Sequence, residues 1–124
     1  MKETNLQKEI LKYLGYNGIM AWRNNTTGVY DPYKKIFRLN PAIRKGIPDI
    51  LGVLPCIINL RKYGLALGVE CKKEGNKMSE HQKNFRKEFE QAGGIFILAY
   101  SLNDVEKELS KWIELKLKLK IIKL

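Results

Sequence analysis

The sequence predicts an α/β fold, with a mixed central β-sheet flanked by helices. Three observations point there. Periodic segments follow one another as helix, strands, helix, strand, helix. Two apolar runs, residues 50–58 and 65–72, enclose a basic Gly-containing stretch and read as an antiparallel hairpin. The 124 residues amount to one domain, with 44% hydrophobic and 29% charged residues, a balance that folds around a core.

The first helix is expected over Glu3 to Leu14, where Leu6, Ile10, Tyr13 and Leu14 recur at helical spacing before Gly15 and Gly18. On a helical wheel Glu3 lies about 35° from the centre of that apolar stripe and Glu9 about 85° away, so Glu3 is the carboxylate held against the body of the protein. Ile19 to Trp22 reads as a strand, followed by the polar stretch 23–28 and a turn at Asp31-Pro32. Residues 35–39 return as a short strand. In the run 50–58, Pro55 argues for an edge or a bulge. Arg61-Lys62-Tyr63-Gly64 is the expected hairpin turn. Ser79 caps the next helix, with Gln82 three residues on completing a capping-box pattern. Phe85, Phe89 and Ala92 supply its buried stripe before Gly93-Gly94 stops it. Ile95 to Tyr100 is a buried strand, and a last helix opens at residues 101–104 and reaches Trp112. Beyond it, Ile113 to Ile121 alternates apolar and charged residues at period two, a strand pattern that needs a partner edge, although the same residues can also extend the helix. Residues 1–112 are thus expected to form the domain. Residues 113–124 form a basic tail that could be a subunit contact.

Charge and composition narrow the functional classes. Twenty-three basic and 13 acidic residues leave a net +10, a field that favours nucleic acid or an acidic membrane surface. No apolar run approaches the ~20 residues of a membrane span. As a basic amphipathic helix the tail could touch a membrane surface, but a packing or dimer role is favoured and no membrane partner is expected. Two cysteines, Cys56 and Cys71, and one histidine, His81, do not suffice for a disulfide framework or a four-cysteine zinc site. The expected location is the cytosol, with reduced thiols.

Two carboxylates stand at telling positions. Asp49 begins one apolar strand directly after Gly46-Ile47-Pro48, and Glu70 ends another within Val69-Glu70-Cys71-Lys72. Strand alternation puts Glu70 and Lys72 on one face and Cys71 on the other. Antiparallel pairing brings the start of the first strand to the end of the second, which places Asp49 beside Glu70 and Lys72. Two carboxylates at one spot repel unless a cation separates them. A hard divalent ion such as Mg²⁺ takes one or two carboxylates plus water and substrate phosphate, and a nearby lysine stabilises developing negative charge. This is a phosphodiester-hydrolysing site in outline. Singly, the same residues could be a turn cap at Asp49 and an exposed ion pair between Glu70 and Lys72.

The series Gly46-Ile47-Pro48-Asp49 and Glu70-Cys71-Lys72 resembles the PD-(D/E)XK nuclease signature. Glu3-x-x-Leu6-Gln7, Trp22-Arg23-Asn24-Asn25 with Gly28, Lys45-Gly46-Ile47-Pro48-Asp49, and Lys77-Met78-Ser79-Glu80-His81-Gln82 ending at Gly93-Gly94 narrow the likeness to the VRR-NUC family. These are small phage and bacterial nucleases and catalytic modules of some eukaryotic repair nucleases. The match runs from residue 3 to about residue 108 and leaves the tail uncovered. The resemblance implies a restriction-endonuclease-like core and a metal-dependent DNA endonuclease using Mg²⁺, with Mn²⁺ as a substitute. It implies a homodimer acting on branched DNA such as a four-way (Holliday) junction. Asp49 and Glu70 would be the metal ligands, with the backbone carbonyl of Cys71 completing the protein's share, and Lys72 the catalytic lysine. Glu3 would stand beside the metal through water. Gln82 would face the site, which its place on one helix face with Phe85 and Phe89 supports, and it fits a capping box as well. Arg23, Asn24 and Asn25 would lie near the DNA backbone, or form a plain polar turn. Lys45, Lys73 and Lys77 are basic positions suited to phosphate contacts, the last two in a loop that reads equally as a solvated hairpin. Cys71 points its thiol into the core and His81 lies on the surface. A non-catalytic or restriction-type DNA-binding module on the same fold is the alternative.

Overall fold

Helix α1 (Glu3–Tyr16) buries Leu6, Ile10 and Leu14, the stripe its sequence spacing dictates, against one face of a sheet. The computed structural model of the chain describes residues 2–24, 29–38 and 44–122. The sheet has the order β1-β4-β5-β6 and is built from β1 (Met20–Arg23), β4 (Ile50–Ile58), β5 (Arg61–Cys71) and β6 (Ile95–Ala99). The first three strands pair antiparallel and β6 joins β5 in parallel, so the sheet is mixed as expected. A parallel neighbour needs a crossover, and α2 (Glu80–Gln91) supplies it. A separate two-stranded ribbon pairs β2 (Val29–Asp31) with β3 (Ile36–Arg38).

The core lies between the sheet, α1 and α3 (Leu102–Ile122). Ile50, Leu54, Leu67, Val69, Cys71, Ile97 and Ala99 meet Leu6, Ile10 and Leu14 from α1 and Val105 and Leu109 from α3. The odd residues of β5 face this core, so the even ones, Gly68, Glu70 and the following Lys72, face α2. The fit there is close. A Cβ at Gly68 would stand 2.9 Å from Pro48 Cγ and 3.5 Å from a Phe89 ring carbon.

Several expectations need correction. The hairpin turn is Asn59-Leu60, not residues 61–64. Both turn residues have positive φ, 49° and 70°, the backbone that matches the twist of two antiparallel strands. Gly64 lies inside β5, where a side chain would meet Val53 Cγ1, which is why the glycine misleads as a turn signal. Pro55 sits in β4 beyond Val53, the last residue paired with β1, so its missing N–H faces an open stretch of edge. Ala92 is exposed at the C-cap of α2 rather than buried. Strand β2 has three residues, too few to carry a periodicity legible in the sequence. The alternating tail adopts the helical option: α3 continues through residue 122. Its Leu, Lys and Glu residues favour helix, and the helix satisfies its own backbone without a partner strand. Among the described residues no helix is long and apolar enough to cross a membrane.

Candidate active site

Three strand ends line up to make the site. Arg23 pairs with Ile50, and Ile50 with Val69. The next row along the same ladder is therefore Asn24, Asp49 and Glu70. The Asn24 N–H donates to the Asp49 carbonyl at 2.7 Å, which extends the β1–β4 ladder to that row. Asp49 Oδ2 in turn accepts the Cys71 N–H at 2.9 Å, locking the carboxylate against the end of β5. Because an extended residue points its N–H and C=O to the same edge of the strand, the Cys71 carbonyl also projects toward Asp49.

The approach to Asp49 is held by a glycine. Gly46 has φ 83°, and a Cβ there would fall 2.3 Å from the His81 carbonyl oxygen. The loop thus lies directly on the first turn of α2, which only glycine permits. Buried Pro48 then packs on Gly68 and delivers Asp49 to its row.

Glu70 is 3% exposed. Its Oε1 accepts from Gln82 Nε2 at 3.0 Å and lies 3.8 Å from Lys72 Nζ. Its Oε2 is buried without a hydrogen-bond partner among the described residues. Burial first, and the Asp49 carboxylate second, push the Glu70 pKa up to about 8, while Lys72 acts in the opposite direction. One carboxylate is thus held largely protonated at neutral pH beside another, with an ammonium alongside.

Gln82 has two duties. Its Oε1 accepts the Ser79 N–H at 2.9 Å and its backbone N–H donates to Ser79 Oγ at 3.2 Å, closing the capping box of α2. The remaining amide nitrogen holds Glu70. The cap of α2 and the orientation of the buried carboxylate are therefore one hydrogen-bonded unit.

Glu3 reaches the strand ends from the other face of the sheet. Its Oε1 accepts the Lys73 N–H at 3.0 Å, just past β5. Its charge is felt at Cys71, whose thiol is pushed up to about 12 by burial first and then by Asp49, Glu70 and Glu3. One turn further along α1, the nearly buried Gln7 accepts from Arg23 Nε at 2.7 Å. From its sequence Gln7 enters only as part of the Glu3-x-x-Leu6-Gln7 series, with no role of its own. Its signal was a polar residue one position from Leu6, on the edge of the apolar stripe.

The remaining candidates divide. Asn24 joins the row, and its Nδ2 is buried without a hydrogen-bond partner among the described residues. Arg23 is exposed but tied to Gln7. Lys45, Lys73 and Lys77 are exposed on the loops before Asp49 and after β5. Asn25 lies outside the described residues. His81 is exposed and Cys71 is buried in the core, as expected.

The donor set suits a hard cation: two adjacent carboxylates, one with an unpartnered buried oxygen, and a backbone carbonyl. Among the described residues no three His, Cys, Asp or Glu side chains form a group that could hold a metal ion.

Fold and site together make an α/β domain with two acids and a lysine at the ends of adjacent central strands. The particular fold is that of a VRR_NUC domain. A solved structure described as a "VRR_NUC domain" superposes with a TM-score of 0.60 at 22% identity, covering 89% of this chain and 96% of that one. No family model matches the chain, and no curated protein matches it.

Proposed function

We propose that the chain is a divalent-metal-dependent DNA endonuclease that hydrolyses phosphodiester bonds. The observation that carries this reading is the buried Oε2 of Glu70, without a hydrogen-bond partner among the described residues, in a carboxyl beside Asp49 whose Oε1 lies 3.8 Å from Lys72 Nζ. Asp49, Glu70 and the Cys71 carbonyl would hold the ion, Mg²⁺ with Mn²⁺ as a substitute. When bound, the ion supplies a lower pKa for attacking water and positive charge for the phosphate oxygens. Gln82 fixes the rotamer of Glu70 through its amide. Lys72 sets its ammonium on the same face and stabilises the extra negative charge that the phosphate gathers as water adds and the leaving oxygen departs. Glu3, tied to the Lys73 N–H, orients water at the strand ends. Arg23, Asn24, Asn25, Lys45, Lys73 and Lys77 contact the DNA backbone, aided by the net +10.

The resemblance to VRR-NUC nucleases extends the proposal to branched DNA, including four-way junctions, cut by a homodimer for which residues 113–124 are a candidate contact. The free thiols of Cys56 and Cys71 fit a cytosolic location. The test is a panel of labelled single strand, duplex, flap and four-way junction incubated with Mg²⁺, Mn²⁺ or chelator. Cleavage is expected with either metal and not with chelator, and it should vanish in Asp49→Ala while DNA binding persists. Equal cleavage by Asp49→Ala refutes the site.

A further inference from the structure

We propose that Trp22 and Met20 form a nucleobase-stacking subsite beside the Asp49–Glu70 row, so that the favoured substrate carries an unpaired or splayed nucleotide next to the cut bond. The inference rests on the nuclease reading and names the substrate class of that site. Along β1, Ala21 packs on the core, so its neighbours Met20 and Trp22 point to the opposite face. That is the face of Asp49 and Glu70, because Trp22 is opposed to Leu51 and Asp49 lies two residues from Leu51 on the same side. At about 3.3 Å per residue, Trp22 stands roughly 7 Å from the row along the sheet. The distance suits the nucleotide adjoining a phosphate held at Asp49.

The indole faces water. Trp22 is 44% exposed and Met20 71%, and Val53, opposed to Met20, is also exposed. Among the described residues helix α2 covers the face over β5 and β6, through Phe89 on Gly68 and Arg86 on Phe96. The apolar strip therefore runs directly out of the phosphodiester site in a chain of net charge +10. A flat, half-exposed indole at that distance meets a base face, and a base shows its face only when unstacked from a duplex. The same strip would give little to fully paired DNA, which presents sugar and phosphate.

The test uses Trp112→Phe, which leaves Trp22 as the lone tryptophan, with and without Asp49→Ala. In the cleavage-blocked form, Trp22 fluorescence is read while single-stranded oligonucleotides bind, each carrying one abasic position. Quenching by the intact strand, relieved by an abasic site at one position only, is the expected result. In the cleavage-competent form, Trp22→Ala should lower cleavage of single-stranded or flapped DNA by roughly 5- to 150-fold, leave duplex unchanged, and be largely rescued by Trp22→Phe. Quenching indifferent to abasic position, or Trp22→Ala cleaving every substrate as well as the parent, overturns the subsite and leaves the nuclease reading standing if Asp49→Ala still abolishes cleavage. Should cleavage survive Asp49→Ala, the nuclease reading falls, while position-specific quenching still supports stacking at Trp22.

Discussion

Glu70→Gln should stabilise the metal-free protein and abolish its cleavage activity. Glu70 is 3% exposed and shares its pocket with Asp49, so its pKa rises from 4.5 to about 8. A carboxyl with a raised native pKa holds its proton more tightly folded than unfolded, and stability falls as pH rises between the two values. Below about pH 4 both states are protonated and the cost vanishes. It grows from there and is complete above about pH 8. The full rise corresponds to roughly 5 kcal/mol, and because the interaction is shared with Asp49 a net cost of a few kcal/mol is the working figure. Glutamine keeps an oxygen for Gln82 Nε2 and removes the charge. For a chain of this size, melting in chelator above pH 8 should rise by roughly 5–15 °C over wild type. The gap should close toward pH 4. Saturating Mg²⁺ should narrow or reverse it, because only the carboxylate form gains binding energy. A gap that is negative above pH 8, or the same at pH 4 and pH 9, refutes the electrostatic account.

Further outcomes follow from single contacts. Lys72→Ala should lower cleavage by roughly 10²- to 10³-fold with DNA binding little changed, read by single-turnover cleavage and a gel-shift titration. Gly46→Ala combines a φ of 83° with a clash against the His81 carbonyl; urea melts should show a loss of at least about 2 kcal/mol, with reduced activity as Asp49 shifts. Leu60→Gly places glycine at a turn residue with φ 70°, and equilibrium unfolding should show a gain of roughly 1 kcal/mol. At pH 8 an alkylating reagent should modify Cys56 in the native chain and reach Cys71 only on unfolding, because the Cys71 thiol is 1% exposed and held protonated up to about pH 12. Peptide mass spectrometry reads the difference.

The parts of the fold legible in the sequence are those where one residue type has one physical use. Leu6, Ile10 and Leu14 can only face a core at that spacing, and Ser79 with Gln82 can only start a helix. Strand parity placed Glu70 and Lys72 on one face without any three-dimensional information. The hairpin turn was misplaced because Leu60 gives no sign that it adopts positive φ, while Gly64, which does resemble a turn, is needed for the contact with Val53. The double role of Gln82 was half visible: capping is local, but its hold on Glu70 depends on how α2 docks on β5. The grip of Gln7 on Arg23 joins residues 16 apart through packing, and no local pattern reports it.

The competing explanation of Asp49, Glu70 and Lys72 is a structural ion pair, and the geometry argues against it. A carboxylate buried for stability would have both oxygens satisfied and its lysine within hydrogen-bond range. Here Lys72 Nζ stays 3.8 Å from Oε1, Oε2 has no hydrogen-bond partner among the described residues, and the Asp49 carboxyl stands beside it. Gln82 then fixes Glu70 in this unfavourable setting, using the same amide that caps α2. Three separate features, the Gly46 approach, the Gln82 bridge and the Cys71 N–H, all hold two carboxyl groups side by side. Above the Glu70 pKa that arrangement costs stability in the free chain, and a cation bound between the two acids, as proposed, would offset the cost.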